Sequence, residues 1–338
     1  MHSRIVVTAL TLILSVALAP NPTTGQTRDA PTSPRTPWGH PNLQGIWTNV
    51  SVTPLERPRE FAGRTQLTDE EIAALEGEVG GLRSFRQQTE EARDAGDPLD
   101  EQRLDRQGLN YNSFWYQQKT VSRQTSLIVD PPDGQIPPFT AEGERRAARG
   151  LETNQRVGIE AIGRRGYDNY DDRSLWERCL TRPLPRLPGP YNNNFLILQT
   201  PTHVVMLMEM IHEVRVIPID GRPHVADAVR QWLGDSRGRW EGDSLVVETT
   251  NFSSKANFIG ARAGLRLTER FTRIDDDTMI QEATLDDRTT WTHPWTVRIP
   301  MARSDGPPFE YACHEGNYGL YNILAGARAE EAASTTGR

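Results

Sequence analysis

Cysteine, lysine and long apolar runs are all scarce in this chain of 338 residues, and each scarcity narrows what it can be. Arginine greatly outnumbers lysine, and together they number 38 against 45 acidic residues, giving a formal net charge of −7. Neutralising a phosphate backbone needs a basic face, so this balance argues against a nucleic-acid partner. Also missing are the phosphate-cradling GxxxxGK[ST], the dinucleotide fingerprint GxGxxG and the zinc-binding HExxH. Their absence removes P-loop nucleotide enzymes, Rossmann dehydrogenases and the common zinc proteases. No period of 20 to 50 residues recurs, so a repeat array is not expected.

The longest apolar run, IVVTALTLILSVALA, lies within Met1 to Ala19 behind His2 and Arg4 and ends in small residues. That is the layout of an export signal, and it falls short of the ~20 residues a spanning helix needs. A signal peptide is expected over residues 1–25, followed by a disordered leader at 26–37 rich in Pro, Thr, Ser and Gly. The mature protein should carry no transmembrane segment and should be periplasmic or secreted. The two cysteines, Cys179 and Cys313, are then expected to pair in an oxidising compartment, closing a loop of over a hundred residues. The competing reading, a thiolate acting with His314, is disfavoured because adjacent side chains on a strand point to opposite faces.

What is present in abundance is strand pattern. From Asn194 the chain runs NFLILQT, HVVMLMEM, then VIPIDGRPH, GRWEGDSLVVETTNF, LRLTERFTRI, TMIQEATL and WTVRIPMA, with Pro, Gly and acidic turns between. The expected fold is mainly β: an antiparallel meander from about Asn194 to Met301, closing into a barrel-like (lipocalin-like) or strongly bent sheet. Leu265, Leu267, Glu269 and Phe271 share one face, as do Trp291, His293, Trp295, Val297 and Ile299. Helical decoration is expected at the N-terminal side. Thr68 and Glu71 form a capping box, and Thr140 caps a second helix running through Arg149. Residues 38–330 read as one β-rich domain with a helical excursion at about 67–110, a last strand in PFEYAC, a short helix near Leu320 to Glu331, and a frayed tail at 331–338.

Chemistry is sought where charge stands among apolar residues, because a buried charge must be paired. Read as one strand, HVVMLMEMIHEVRVIP places Met206, Met208, Met210, His212 and Val214 on one face, and Val205, Leu207, Glu209, Ile211, Glu213 and Arg215 on the other. The candidate catalytic residues are His212, His314, Glu269 and Tyr311. The candidate substrate-binding residues are Arg215, His224, Asn251 and Trp240. Glu269 stands on an otherwise apolar face and should pair with Arg215 or carry a raised pKa. These groups are expected to converge around one cavity, the tail being tied over the barrel opening by the disulfide. The bland alternative is an internal ion pair, such as Glu209 with Arg215, with the histidines bonded to backbone. No cofactor is expected; a metal site of His212, His224 and His314 is a minority reading, since no short ligand spacing supports it. The aromatic cluster Tyr111, Phe114, Trp115 and Tyr116 is expected to pack on the body or line a pocket mouth.

The blocks HEVRVIPIDGRPH, WLGDSRGRWEGDSLVVETTNF and YACHEGNYGLYNILAGAR resemble a group of exported bacterial proteins of unassigned function, over about Trp38 to Arg328. The resemblance implies export and a β-rich body and supplies no mechanism. From the residues alone, the leading expectation is an exported hydrolase or lyase. It would use side-chain acid–base catalysis on a small polar or glycosidic substrate in a barrel-mouth cavity. A periplasmic small-molecule binding protein without catalysis is the rival, and a cell-envelope interaction protein is the third class.

Overall fold

Strand alternation governs the architecture seen in a computed structural model, which describes residues 34–80, 120–146, 169–189 and 191–335. The expected signal peptide, most of the leader, the rest of the helical excursion beyond residue 80 and the Tyr111–Tyr116 cluster lie outside the described residues. Ten strands form one sheet. They are β1 (Gly45–Thr48), β2 (Ile128–Asp130), β3 (Asn194–Gln199), β4 (His203–Met208) and β5 (Glu213–Pro218), then β6 (Asp235–Glu241), β7 (Ser244–Thr250), β8 (Arg266–Arg273), β9 (Thr278–Asp286) and β10 (Trp295–Arg303). Their hydrogen-bonded order is β5-β4-β3-β1-β10-β9-β8-β7-β6, with β2 beside β10. The result is a nearly closed antiparallel barrel.

The expected single meander from Asn194 to Met301 is in fact two. β3 to β5 form one and β6 to β10 the other, and the short β1 joins them, pairing Trp47 with Phe195 on one side and with Arg303 on the other. Neighbours along the path alternate in direction, and the path has an odd number of members, so its two ends run the same way. β5 and β6 therefore meet as parallel neighbours. Parallel strands need a crossover of a dozen or more residues, and residues 219–234 supply it.

Inward side chains fill the barrel. Trp47, Ile197, Met206, Ile217, Leu245, Phe271, Trp295 and Ile299 are among the most completely buried. Trp291 packs edge-on against Trp295, with ring centroids 5.3 Å apart. Burying each such side chain stabilises the fold by about 1.5–3 kcal/mol. Leu265, Leu267, Glu269 and Phe271 share the inner face as expected, but His293 does not join Trp291 and Trp295. β10 begins only at Trp295, and His293 lies exposed in the turn before it.

The helices stay at the margins. In α1 (residues 69–80) Thr68 and Glu71 exchange the expected capping-box bonds, Thr68 N–H to Glu71 at 2.8 Å and Glu71 N–H to Thr68 at 3.2 Å. In α2 (Ala141–Arg146) the Thr140 hydroxyl accepts from Gly143 N–H. α3 (Tyr318–Thr335) is longer than the expected Leu320–Glu331 helix and buries none of its residues. The expected strand in PFEYAC is absent: that segment joins no ladder, and Cys313 N–H donates to the Tyr311 carbonyl at 3.0 Å. Residues 34–37, assigned to the disordered leader, instead meet the body, with Thr36 buried and Arg35 paired to Asp243 at 2.7 Å. No described helix is long and apolar enough to cross a membrane.

Cys179 and Cys313 form a disulfide across a sequence separation of 134. The tail before it is fixed by Glu209, a buried carboxylate that accepts from Phe309 N–H at 2.7 Å and from Asn194 N–H at 3.2 Å.

Candidate functional site

The segment expected to be one long strand breaks at Glu209. Ile211 and His212 both adopt positive φ, 64° and 43°, and the chain reverses so that β4 and β5 pair, Met206 opposite Arg215. A left-handed conformation costs a branched residue about 1–2 kcal/mol, and the burial of the Ile211 side chain offsets it. The reversal changes which residues face inward. Val204, Met206 and Met208 point into the barrel from β4, and Glu213, Arg215 and Ile217 from β5, while Val214 and Val216 point outward.

Arg215 reaches across the interior to the other end of the sheet. Its Nη2 donates to Glu269 on β8 at 2.6 Å, to Ser236 on β6 at 3.2 Å and to Thr249 on β7 at 3.3 Å. Gln281 on β9 donates to the second Glu269 oxygen at 2.9 Å. Arg215 and Glu269 are both buried, so this polar chain ties β5 to β6 where no backbone ladder does. Arg215 Nε and Gln281 Oε1 are left buried without a hydrogen-bond partner.

The seam is tight at one end only. A Cβ added at Gly238 would lie 2.7 Å from the Ile219 side chain and 3.1 Å from that of Ile217, so β6 can approach β5 there only as glycine. At the other end the strands part, and an open cleft of about 700 Å³ lies between Glu213–Val216 on one wall and Arg230–Ser236 on the other, with Ser253 nearby. Its size falls in the ordinary range of ligand pockets.

Glu213 lines this cleft. Burial pushes its carboxyl above the ordinary range, an effect that outweighs the Thr181 hydroxyl donating to it and the attraction of Arg186, Arg215 and His212. A raised acid pKa means that the folded chain holds its proton more tightly than the unfolded chain does. Stability is then greatest below the ordinary carboxyl pKa and falls as pH rises through the raised one. Glu213→Gln keeps the acceptor for Thr181 and should abolish this fall, leaving the variant more stable than wild type at the alkaline side. Urea denaturation of both proteins from about pH 4 to about pH 8 checks this. A stability difference that stays constant with pH would refute it.

The expected site residues do not converge. Arg215 lines the cleft and Glu269 stands behind it as the counter-ion. His212 is exposed at the β4–β5 reversal, its Nδ1 3.0 Å from the Tyr311 carbonyl, and the Tyr311 hydroxyl lies 3.4 Å from Trp176 Nε1. His314 is exposed in the tail turn. His224 pairs with Asp235 at 2.8 Å. Asn251 donates to the carbonyls of Val225 and Ala226, each at 3.1 Å, and of Val229 at 3.2 Å. Both His224 and Asn251 thus pin the crossover that walls the cleft. Trp240 lies away from the cleft against His40, ring centroids 5.3 Å apart. Glu209 meets backbone N–H groups, and the partner of Arg215 is Glu269. Among the described residues no group of three or more His, Cys, Asp or Glu side chains could hold a metal ion, and His212, His224 and His314 have separate surroundings.

Gly234–Gly238, GDSRG, spells the Gly-x-Ser-x-Gly pattern of hydrolase nucleophile elbows. The elbow requires a strand-to-helix turn, whereas Ser236 lies within β6 with its hydroxyl on Thr249 at 2.9 Å. The His224–Asp235 pair involves the neighbouring strand residue, whose side chain leaves the other face of the sheet. No described histidine bonds to Ser236. No protein-family model matches the chain, and neither the curated proteins nor the solved structures hold a match to it.

Proposed function

We propose that this is an exported binding protein that takes a small ligand into the seam cleft. The observation that carries the reading is the cleft itself: about 700 Å³, walled by β5 and the end of the crossover, with the Arg215 network behind it. A network that crosses from β5 to β8 fixes both walls, which is the preorganisation a binding site gains from. The candidate catalytic histidines, His212 and His314, are exposed and line none of it, and neither does the exposed His293. Export rests on the N-terminal sequence pattern, and the disulfide accords with it.

A hydrolase or lyase is the second reading, favoured by Glu213, whose burial in the cleft wall raises its pKa above the ordinary carboxyl range, the direction a general acid needs. One experiment separates the two. The purified chain is screened by thermal shift and for turnover against carbohydrate, aromatic ester and short peptide libraries, alongside Ser253→Trp, which fills the cleft. Ligands that raise the melting temperature of wild type only, without being consumed, bear out the binding protein. Turnover lost in Glu213→Gln establishes the enzyme. Ligands that stabilise Ser253→Trp equally, or no ligand at all, overturn the seam cleft as the site.

A further inference from the structure

We infer that the ligand of the seam cleft is a short extended peptide, bound by adding as a strand to the open edge of β5. This rests on the cleft being the binding site and names what it takes.

Hydrogen-bond parity identifies the groups on offer. Ile219 N–H donates to the Thr202 carbonyl on the β4 side. Bonded pairs recur at every second residue of an antiparallel ladder, so Ile217, Arg215 and Glu213 also direct their backbone groups to β4. Val214 and Val216 then turn their N–H and C=O toward the seam, and β5 ends the hydrogen-bonded order of the sheet. Pro218, next in that series, has no N–H to offer and closes the edge, as prolines on edge strands do. The available edge is thus the stretch Glu213–Val216 that lines the cleft, about 13 Å at the rise of a strand.

Direction and side chains agree with a strand as occupant. A peptide running antiparallel to β5 also runs antiparallel to β6, because those two are parallel, and so supplies the alternation that an odd number of strands cannot complete. Its residues opposite Val214 and Val216 would send side chains outward, beside valines that are 52 % and 58 % exposed. Those valines continue an apolar outer face, with Val205 and Leu207 on β4 opposite Val216 and Val214. The residue opposite Arg215 would point inward to Glu213, Arg215 and Ser236. The preferred ligand therefore alternates apolar and polar residues. A second copy pairing edge to edge fits less well, since the Arg230–Gly234 wall makes the site a slot rather than an open flank.

The test uses the disulfide-intact chain and a positional-scanning library of N-acetylated, C-amidated pentapeptides, followed by amide NMR shifts. Pools with apolar residues at alternate positions should bind and move the Val214 and Val216 amides. N-methylation of the peptide residue opposite Val216 should weaken binding at least tenfold. Val216→Pro removes only a seam-facing N–H, so it should weaken binding equally while retaining the β4–β5 ladder. Should that variant unfold, the N-methylated peptides decide alone. Peptides that bind as well when N-methylated would overturn the inference. So would failure of every pool while a non-peptide ligand from the screen moves the same amides, a result that leaves the binding cleft standing. If nothing moves those amides, cleft and peptide fall together. A dimer abolished by Val216→Pro would make a second copy the occupant and also overturn the inference.

Discussion

Glu269→Leu should destabilise the barrel by about 3–5 kcal/mol, because it leaves Arg215 buried without a counter-charge. Arg215 gives up its 2.6 Å partner and keeps only two hydroxyl contacts, on Ser236 and Thr249. The Gln281 amide loses its acceptor as well. Arg215→Met alone should cost a similar amount by stranding Glu269. The two together should cost far less than their sum, since a buried ion pair replaced by apolar groups of like volume is often neutral. Urea denaturation of the four proteins in this cycle measures the coupling directly. A loss below about 1 kcal/mol in Glu269→Leu would mean that the pair is solvated and does not hold the seam. Because the network ties β5 to β6, the single variants should also weaken any ligand of the cleft, whereas an apolar pair that repacks should restore part of that binding.

Opening the disulfide should cost about 5 kcal/mol by loop entropy, since it links residues 134 apart in sequence. The loss should be larger for the region around Cys179 than for the β6–β10 meander, because the tail is otherwise fixed by a few bonds, among them Glu209 to Phe309 and His212 to the Tyr311 carbonyl. Thr181, two residues beyond Cys179, donates to Glu213, so the bridge also steadies one wall of the cleft. Denaturation with and without reductant gives the magnitude, and mass spectrometry of an unreduced digest should find the two cysteine peptides joined. Equal stability of oxidised and reduced chains would refute the entropic contribution; two alkylatable thiols in the unreduced, denatured chain would refute the bridge.

The strands from β3 to β10 were legible because their apolar alternation is local and their turns carry Pro, Gly or acidic residues. The partner choices were not. Nothing in GIWT announces that it lies between β3 and β10, and nothing local says that Pro218 and Asp235 bound a crossover rather than a hairpin. The reversal at Glu209–His212 was hidden because it contains no glycine or proline; a buried isoleucine takes the left-handed position instead. At the site, Arg215 and Glu269 could be read as partners, since each interrupts an apolar face and neither can be buried alone. Glu213 was passed over because it stands beside a break that the sequence concealed. His224 and Asn251 were noticed for their chemistry, yet their hydrogen bonds go to the crossover.

The position of β1 also sets an order of events during folding. The hairpins of both meanders join segments adjacent in the chain and can form early, but Trp47 must meet Arg303, near the far end. Neither meander can close on the other until that four-residue strand is wedged between them. Contacts of such sequence separation are slow to form. The arrival of one of the barrel's first residues is therefore a slow step in its assembly, and until then β3 presents a bare edge to any other chain nearby, while the facing edge of β10 is covered only where β2 pairs with it at Thr296 and Val297.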